Sequence, residues 1–298
     1  METTRPKVSV VIPVKNGMKY LPEALNSVYA QDYGDIEIVI SDDRSTDGSI
    51  EYLLKEAKLR NNLRVIHPPH PMKIDEHWTF VCENSSGEYV KLLCSDDVLF
   101  PNAISSQLRI LEQYPSAGMI STKRNIIGAS GVTFLRNRGM GRLTGLQKGF
   151  FAVQECVHAG TNIFGEPGSI LFRKSALFET LPWNANQPYM LDIEFYFRLL
   201  KKWDIYCSNS TEGSFRVHSQ SLTSQVHTKH ATQFMRLVKM LSSEGALKIT
   251  VRQEILLLIR VHILTILRSI AISAILIDNQ FRSKINHKVR NFYGNFSV

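Results

Sequence analysis

Apolar and polar positions change period regularly along the first hundred residues. Residues 8–13 form an apolar run broken only by Ser9 and rich in β-branched residues, the pattern of a strand covered on both faces. Leu21, Ala24, Leu25 and Val28 then recur at the helical period and predict a helix over 21–31. A second strand at 36–40, a helix at 49–59 that Thr46 or Asp47 can cap, and a third strand at 63–67 complete a β-α-β-α-β series. The proline-rich stretch 67–71 reads as a loop, residues 75–84 as a helix, and 88–94 as a strand that Gly87 introduces. Residues 124–149 hold six glycines among several cations and read as a mobile loop over a site or a surface excursion. Beyond it the pattern predicts a strand at 169–172, a helix at 190–201 and a short strand at 205–208.

A length of 298 residues with 44% hydrophobic and 21% charged positions supports a sizeable core, in one large α/β domain or one domain with appendages. The four cysteines, Cys82, Cys94, Cys156 and Cys207, form no CxxC pair, which argues against a zinc knuckle or a disulfide framework and fits a reducing cytoplasm. The apolar stretch near the N-terminus is too short for a signal peptide, so export is not expected.

The net charge of +8 is unevenly distributed. Residues 248–298 carry eight Lys/Arg against two acids, which leaves only +2 on the first 247 residues. Nucleic acid is therefore a poor partner, because it needs a stripe of cations across a folded face. An anionic membrane surface suits a basic end better. Residues 255–277 are apolar except for Arg260, His262 and Arg268, and the run is long enough to span a bilayer. Two arginines near the centre of a span cost roughly 2.5–3.5 kcal/mol each, against a gain of about 0.3–0.6 per Leu or Ile. A helix lying in the membrane interface is the preferred reading, with packing on the body of the protein or spanning as alternatives.

In an open α/β sheet, ligands gather beyond the carboxyl ends of the strands. Asp42-Asp43 and Asp96-Asp97 both fall at such ends. Neighbouring carboxylates repel one another, and a hard divalent cation satisfies Asp96 and Asp97 well; a solvated turn is the plain alternative for either pair.

The order VVIPVKN (10–16), DDRSTDGS (42–49) and GEYVKLLCSDD (87–97), with spacings of about 26 and 45 residues, resembles the nucleotide-sugar-dependent glycosyltransferases of family 2. The likeness continues through LDIEFYFRLL (191–200) and FRVHSQSLTS (215–224) and covers roughly residues 7–225. It implies the GT-A fold: an α/β, Rossmann-like, mostly parallel sheet flanked by helices, here a domain over 1–230 followed by a basic helical extension over 231–298. Pro13 and Lys15 then border the nucleotide pocket. Asp42 and Asp43 match the pair that recognises the base, with Asp43 bonding a uracil-type NH. Asp96 becomes the ligand of Mn2+ or Mg2+, with Asp97 beside it, although Cys94 stands where many members carry a leading carboxylate. Asp192 matches the general base, and a first-turn acid of its helix is the alternative. His218 resembles a histidine near the diphosphate, a hydrogen-bonded loop histidine being the alternative, and Arg216 can add a cation there. Glu166 to Ser169 and Trp183 fall where the family holds its acceptor.

The function expected is an inverting, metal-dependent transferase that moves one sugar from a nucleoside-diphosphate sugar, a uridine type favoured, to a glycan or lipid-linked acceptor in surface polysaccharide synthesis. Its place would be the cytoplasm or the cytoplasmic face of the inner membrane. A non-catalytic nucleotide-sugar-binding or scaffold subunit is the alternative from another class. A nucleotidylyltransferase fits less well, because PVKNGMKY lacks the Gly-rich, Arg-containing loop that such an enzyme needs.

Overall fold

The structure, a computed structural model, describes residues 7–245, 247 and 249–294, with side chains described as far as Asp278. Its first half follows the predicted alternation: β1 (Val8–Val14), α1 (Leu21–Tyr29), β2 (Ile36–Asp42), α2 (Ser49–Leu59), β3 (Leu63–Ile66), α3 (Ile74–Glu83) and β4 (Tyr89–Leu92). After the short β5 (Val98–Leu99) and α4 (Ala103–Gln113) comes the long β6 (Ala117–Gly128), then β7 (Thr133–Arg138), β8 (Gly145–Gln147) and α5 (Gly149–Ala159). The chain continues through β9 (Ile170–Arg173), α6 (Lys174–Thr180), α7 (Leu191–Leu199), β10 (Asp204–Val217), α8 (Leu222–Val226), α9 (His230–Ser243) and α10 (Val251–Gly294).

The strands form one mixed, mostly parallel sheet in the order β3-β2-β1-β4-β9-β6-β10-β5, with β7 on β6 and β8 on β10. β3, β2, β1 and β4 run parallel, as crossover helices require, so their carboxyl ends share one edge. Alternation along β1 explains the layering. Val8, Val10, Ile12 and Val14 pack with α1, α2 and α4 through Leu21, Leu25, Leu53, Ile104 and Leu108, while Val11 faces the opposite core with Trp78, Val81, Phe195 and Phe234. Ala231, Phe234, Leu241, Leu257 and Val261 join that second core, so the expected extension beyond residue 230 shares it.

One expectation needs revision. Residues 124–149 are not a plain mobile loop: β6 and β7 make an antiparallel hairpin that turns at Gly131, where φ is +80°, and Met140 and Leu143 return into the core. β7 lies at the edge with Arg136, Asn137 and Arg138 exposed, so solvated polar side chains hid its strand character. The apolar C-terminal stretch packs on the body along one face, one of the three readings open for it. That face of α10 packs through Leu257, Val261, Ile272 and Ile275, and both arginines reach inward, Arg260 to the His158 carbonyl and Arg268 to the Thr161 hydroxyl. By length and composition the described part of the helix, Val251–Asp278, could still cross a membrane.

Candidate active site

The turn after β1 is built by the motif that follows β2. The Asp43 N–H donates to the Val14 carbonyl at 2.9 Å, locking the two strand ends side by side. Asn16, at φ +53°, then accepts from the Thr46 N–H at 2.8 Å and donates its own N–H to Ser45 Oγ at 2.8 Å. The Met18 N–H reaches Asp47 Oδ2 at 2.9 Å, while Asp47 Oδ1 holds both the N–H and the hydroxyl of Ser49 at the start of α2. Side-chain acceptors thus take up the backbone donors of a turn that has no ladder partners, which accounts for the run of Asp, Ser and Thr over 42–49.

Within this frame the two aspartates of the first pair diverge. Asp42 is buried, and its Oδ1 accepts from the Ser45 N–H at 3.1 Å; it serves the turn and does not line the cleft described below. Asp43 does line it. Its Oδ2 takes Lys15 Nζ at 2.8 Å and the Met72 N–H at 3.3 Å, while its buried Oδ1 has no hydrogen-bond donor and the Arg44 guanidinium lies 3.6 Å away. Burial pulls the Asp43 carboxyl upward, but these donors outweigh it and hold the group below the usual carboxylate range. Asp43 is thus held ionised at the wall of the cleft.

The second pair divides in the same way. After β4 the chain turns, with the Asp97 N–H on the Cys94 carbonyl at 3.1 Å. Asp97 points inward and accepts the Arg216 backbone N–H at 2.9 Å; burial first, and then the charge of Asp96, push its carboxyl well above the usual range. It ties the end of β4 to β10 and is absent from the cleft wall. Asp96 faces the cleft, with its Oδ2 2.9 Å from His218 Nε2, and the His218 ring rests against Tyr20 at 4.7 Å between centroids. Arg216 is fully buried. It donates to the Asp96 carbonyl, the Gly128 carbonyl and Glu23, so it organises the turn from behind and its guanidinium is not open to a ligand.

Asp192 comes from the opposite wall, in the first turn of α7. Its Oδ1 accepts the Ile193 N–H at 2.8 Å and its Oδ2 accepts Asn162 Nδ2 at 2.7 Å. Burial first, then the negative charge of Glu166, push its carboxyl up to about 7. Glu166, before the Pro167–Ser169 turn, is itself clamped by Arg124 through Nε at 2.6 Å and Nη2 at 3.0 Å. Beneath that turn lies Lys91, fully buried in β4 and donating to the Gly168 and Ile170 carbonyls at 3.0 Å each. Burial, opposed by Glu212, lowers its ammonium to about 7.

Pro13, Lys15, Asp43, Asp96, Asp192 and His218 all line one cleft of about 520 Å³ at the carboxyl edge of the parallel strands, together with Glu166 and Pro167. Trp183 belongs to the core, 2% exposed and stacked on Phe195 at 3.8 Å between centroids. No motif pointed to Asn162 or Arg124, because each acts through a fold contact distant in sequence. Lys91 was legible only as a charge inside an apolar strand, which is a signal of a buried partner.

The donor set fits a hard cation. Ligand atoms of Cys94, Asp96 and Asp97 lie within 4.8 Å of one another, and Cys94 and Asp96 line the cleft. Burial and the charges of Asp97 and Asp96 keep the Cys94 thiol protonated, so the oxygens are the stronger donors. Asp96 with diphosphate oxygens would hold Mn2+ or Mg2+ there.

Residues 9–180 match the model of glycosyl transferase family 2. An uncharacterized glycosyltransferase of Rickettsia typhi is 26% identical over 230 residues, 74% of this chain and 67% of that protein. Another from Rickettsia felis is 36% identical over 109 residues, and those cover 36% of this chain but only 18% of that much longer protein. Among solved structures, TarS of S. aureus in complex with UDP-GlcNAc superposes with a TM-score of 0.62 at 17% identity, over 86% of this chain and 71% of that one. The mannosyltransferase PcManGT of Pyrobaculum calidifontis, in complex with GDP-Man and Mn2+, gives 0.60 at 14% identity, over 92% and 74%. With the family model covering more than half its length, the chain belongs to glycosyltransferase family 2 and has the GT-A fold.

Proposed function

We propose that this chain is an inverting, metal-dependent hexosyltransferase that takes one sugar from a nucleoside-diphosphate donor, a uridine type favoured, and delivers it to a hydroxyl of a glycan or lipid-linked acceptor. The process served is surface polysaccharide synthesis, at the cytoplasmic face of the inner membrane. Residues 1–230 carry the transfer chemistry and 231–298 the attachment. The observation that carries this reading is that Asp43, Asp96 and Asp192, from three separate segments, line one cleft. Support for the donor class comes from structural neighbours, which hold UDP-GlcNAc and, in the other case, GDP-Man with Mn2+.

The roles follow from the local chemistry. The Asp43 carboxylate, held ionised at the cleft wall, accepts the imide N–H of a uracil base, while Lys15 and Pro13 border the nucleoside. Asp96 would hold the cation, whose chemistry when bound would be to offset charge on a departing diphosphate. His218 Nε2, hydrogen-bonded to Asp96, fixes that carboxylate's orientation. Asp192, ionised above about pH 7, takes the proton of the acceptor hydroxyl as that oxygen attacks the anomeric carbon from the side opposite the leaving group. Inversion follows from a single displacement with base and leaving group on opposite faces. The Arg124–Glu166 pair and Pro167 shape the acceptor side beside Asp192.

The test is transfer from UDP-sugars by variants with the fold intact. Asp192→Asn is expected to lower kcat by about 10²–10⁴ with donor binding retained. Asp96→Asn is expected to abolish the metal dependence. Full activity in both variants would overturn the assignment.

A further inference from the structure

The C-terminal helix presents two unlike faces. Inward, Leu257, Val261, Ile272 and Ile275 are buried, His230 Nδ1 meets Thr265 Oγ1 at 2.9 Å, and Arg268 lies 5.6 Å over the ring of Tyr189, a residue of the cleft wall. Ile272 and Ile275 also pack with Phe215, which lines the cleft as well. Outward, Ile255, Leu256, Ile259, Ile263, Ile266, Leu267, Ile270 and Ile277 are each more than half exposed. At 100° per residue they fall on one side of the helix, opposite Val261, and span about 33 Å of its axis. No charged side chain interrupts them, and between Glu254 and Asp278 the sequence holds no acid. An apolar strip of this length is not left in water by a soluble monomer.

We propose that this outward face of α10 is a docking surface that beds along the interface of an anionic lipid bilayer. The inward packing decides against spanning, because one side of the helix is committed to protein and both central arginines are tied to the body. Charge decides between a bilayer and a second copy of the chain. Residues 248–298 carry eight cations against two acids, so two such helices laid together bring like charge against like, whereas anionic headgroups supply the complement. Arg252 and His262, both exposed, lie on or beside the strip, within reach of headgroups. A helix bound in this way holds Tyr189 and Phe215 of the cleft wall next to the membrane, where a lipid-linked acceptor is presented. The surface deepens the membrane-side placement given above and does not depend on the transfer chemistry.

The experiment is flotation of the full chain with phosphatidylcholine vesicles, with and without phosphatidylglycerol. Wild type is compared with a double variant, Ile263→Asn with Ile270→Asn, whose sites are exposed and outside the cleft. Oligomeric state, melting temperature and the thermal shift caused by uridine diphosphate are measured on the same samples. The wild type is expected to float with phosphatidylglycerol vesicles and to be released by high salt, and the double variant to bind at least about tenfold more weakly with unchanged melting and nucleotide response. Three outcomes overturn the proposal: no flotation of folded wild type, equal flotation of the variant, or a wild-type dimer that the variant converts to monomer. Loss of the nucleotide response in both proteins, with flotation intact, would count against the proposed chemistry and leave the docking surface standing.

Discussion

Asn162 Nδ2 lies 2.7 Å from Asp192 Oδ2, a neutral donor on a carboxylate whose proton affinity is raised by burial and by the charge of Glu166. The group best placed to take a proton is thus half ionised near neutrality. Without a ligand, kcat/KM is expected to rise with pH through about 7 and then level off, since that parameter reports the free enzyme. Glu166→Gln removes the second-largest cause of the shift and should move this limb to lower pH. A limb unmoved in that variant would separate Glu166 from the base.

The same shift acts on stability. Between about pH 4 and 7 the native Asp192 binds more protons than the unfolded chain, so the stability of the wild type relative to Asp192→Asn is expected to fall as pH rises across that window. Melting curves of both proteins at several pH values give the difference directly. A flat difference contradicts the burial assigned to Asp192.

Asp43→Ala tests the nucleotide end. A charged acceptor bonded to a ligand N–H contributes about 1.5–3 kcal/mol, so uridine diphosphate is expected to bind about tenfold to a hundredfold more weakly by calorimetry. Asp42→Ala should act mainly through the turn it caps, lowering melting temperature more than intrinsic affinity.

Lys91 gives a pH dependence of opposite sign. Its ammonium sits near 7 in the fold against an ordinary 10.5, so between these values the unfolded chain binds a proton that the native state has released. The stability of the wild type relative to Lys91→Met is expected to rise with pH over that interval. The variant also leaves the Gly168 and Ile170 carbonyls without their donor, at about 1–3 kcal/mol each, and should loosen the turn beside Glu166.

Gly149 opens α5 where it meets the end of α7. A Cβ there would lie 2.1 Å from the Leu200 carbonyl oxygen and 2.3 Å from that of Trp203, and backbone cannot rotate aside as a side chain can. Gly149→Ala is therefore expected to cost about 3 kcal/mol in urea unfolding. A change near zero would mean that α5 can shift at little cost.

The parts legible in the sequence were those in which neighbouring residues carry the pattern. β1, β2 and β4 announce themselves because parallel strands covered on both faces are continuous apolar runs, and acidic turns follow β2 and β4. Which carboxylate of each pair turns outward was not legible, because Asp42 and Asp97 are drawn inward by Ser45 and by Arg216, the latter 119 residues away. β7 was missed because its solvated face is polar, and Arg216 read as a free cation because its partners Glu23 and Gly128 are close only in the fold. The two faces of α10 needed the body against which one of them packs.

The most direct measurement is a crystal structure of the chain soaked with uridine diphosphate and manganese, with the metal located by its anomalous signal. One peak is expected at coordination distance from the Asp96 carboxylate and next to the diphosphate, with the uracil against Asp43 and an open space between the phosphate and Asp192. Manganese or nucleotide bound away from Asp96 and Asp43, in protein that turns over nucleotide sugar, would contradict it.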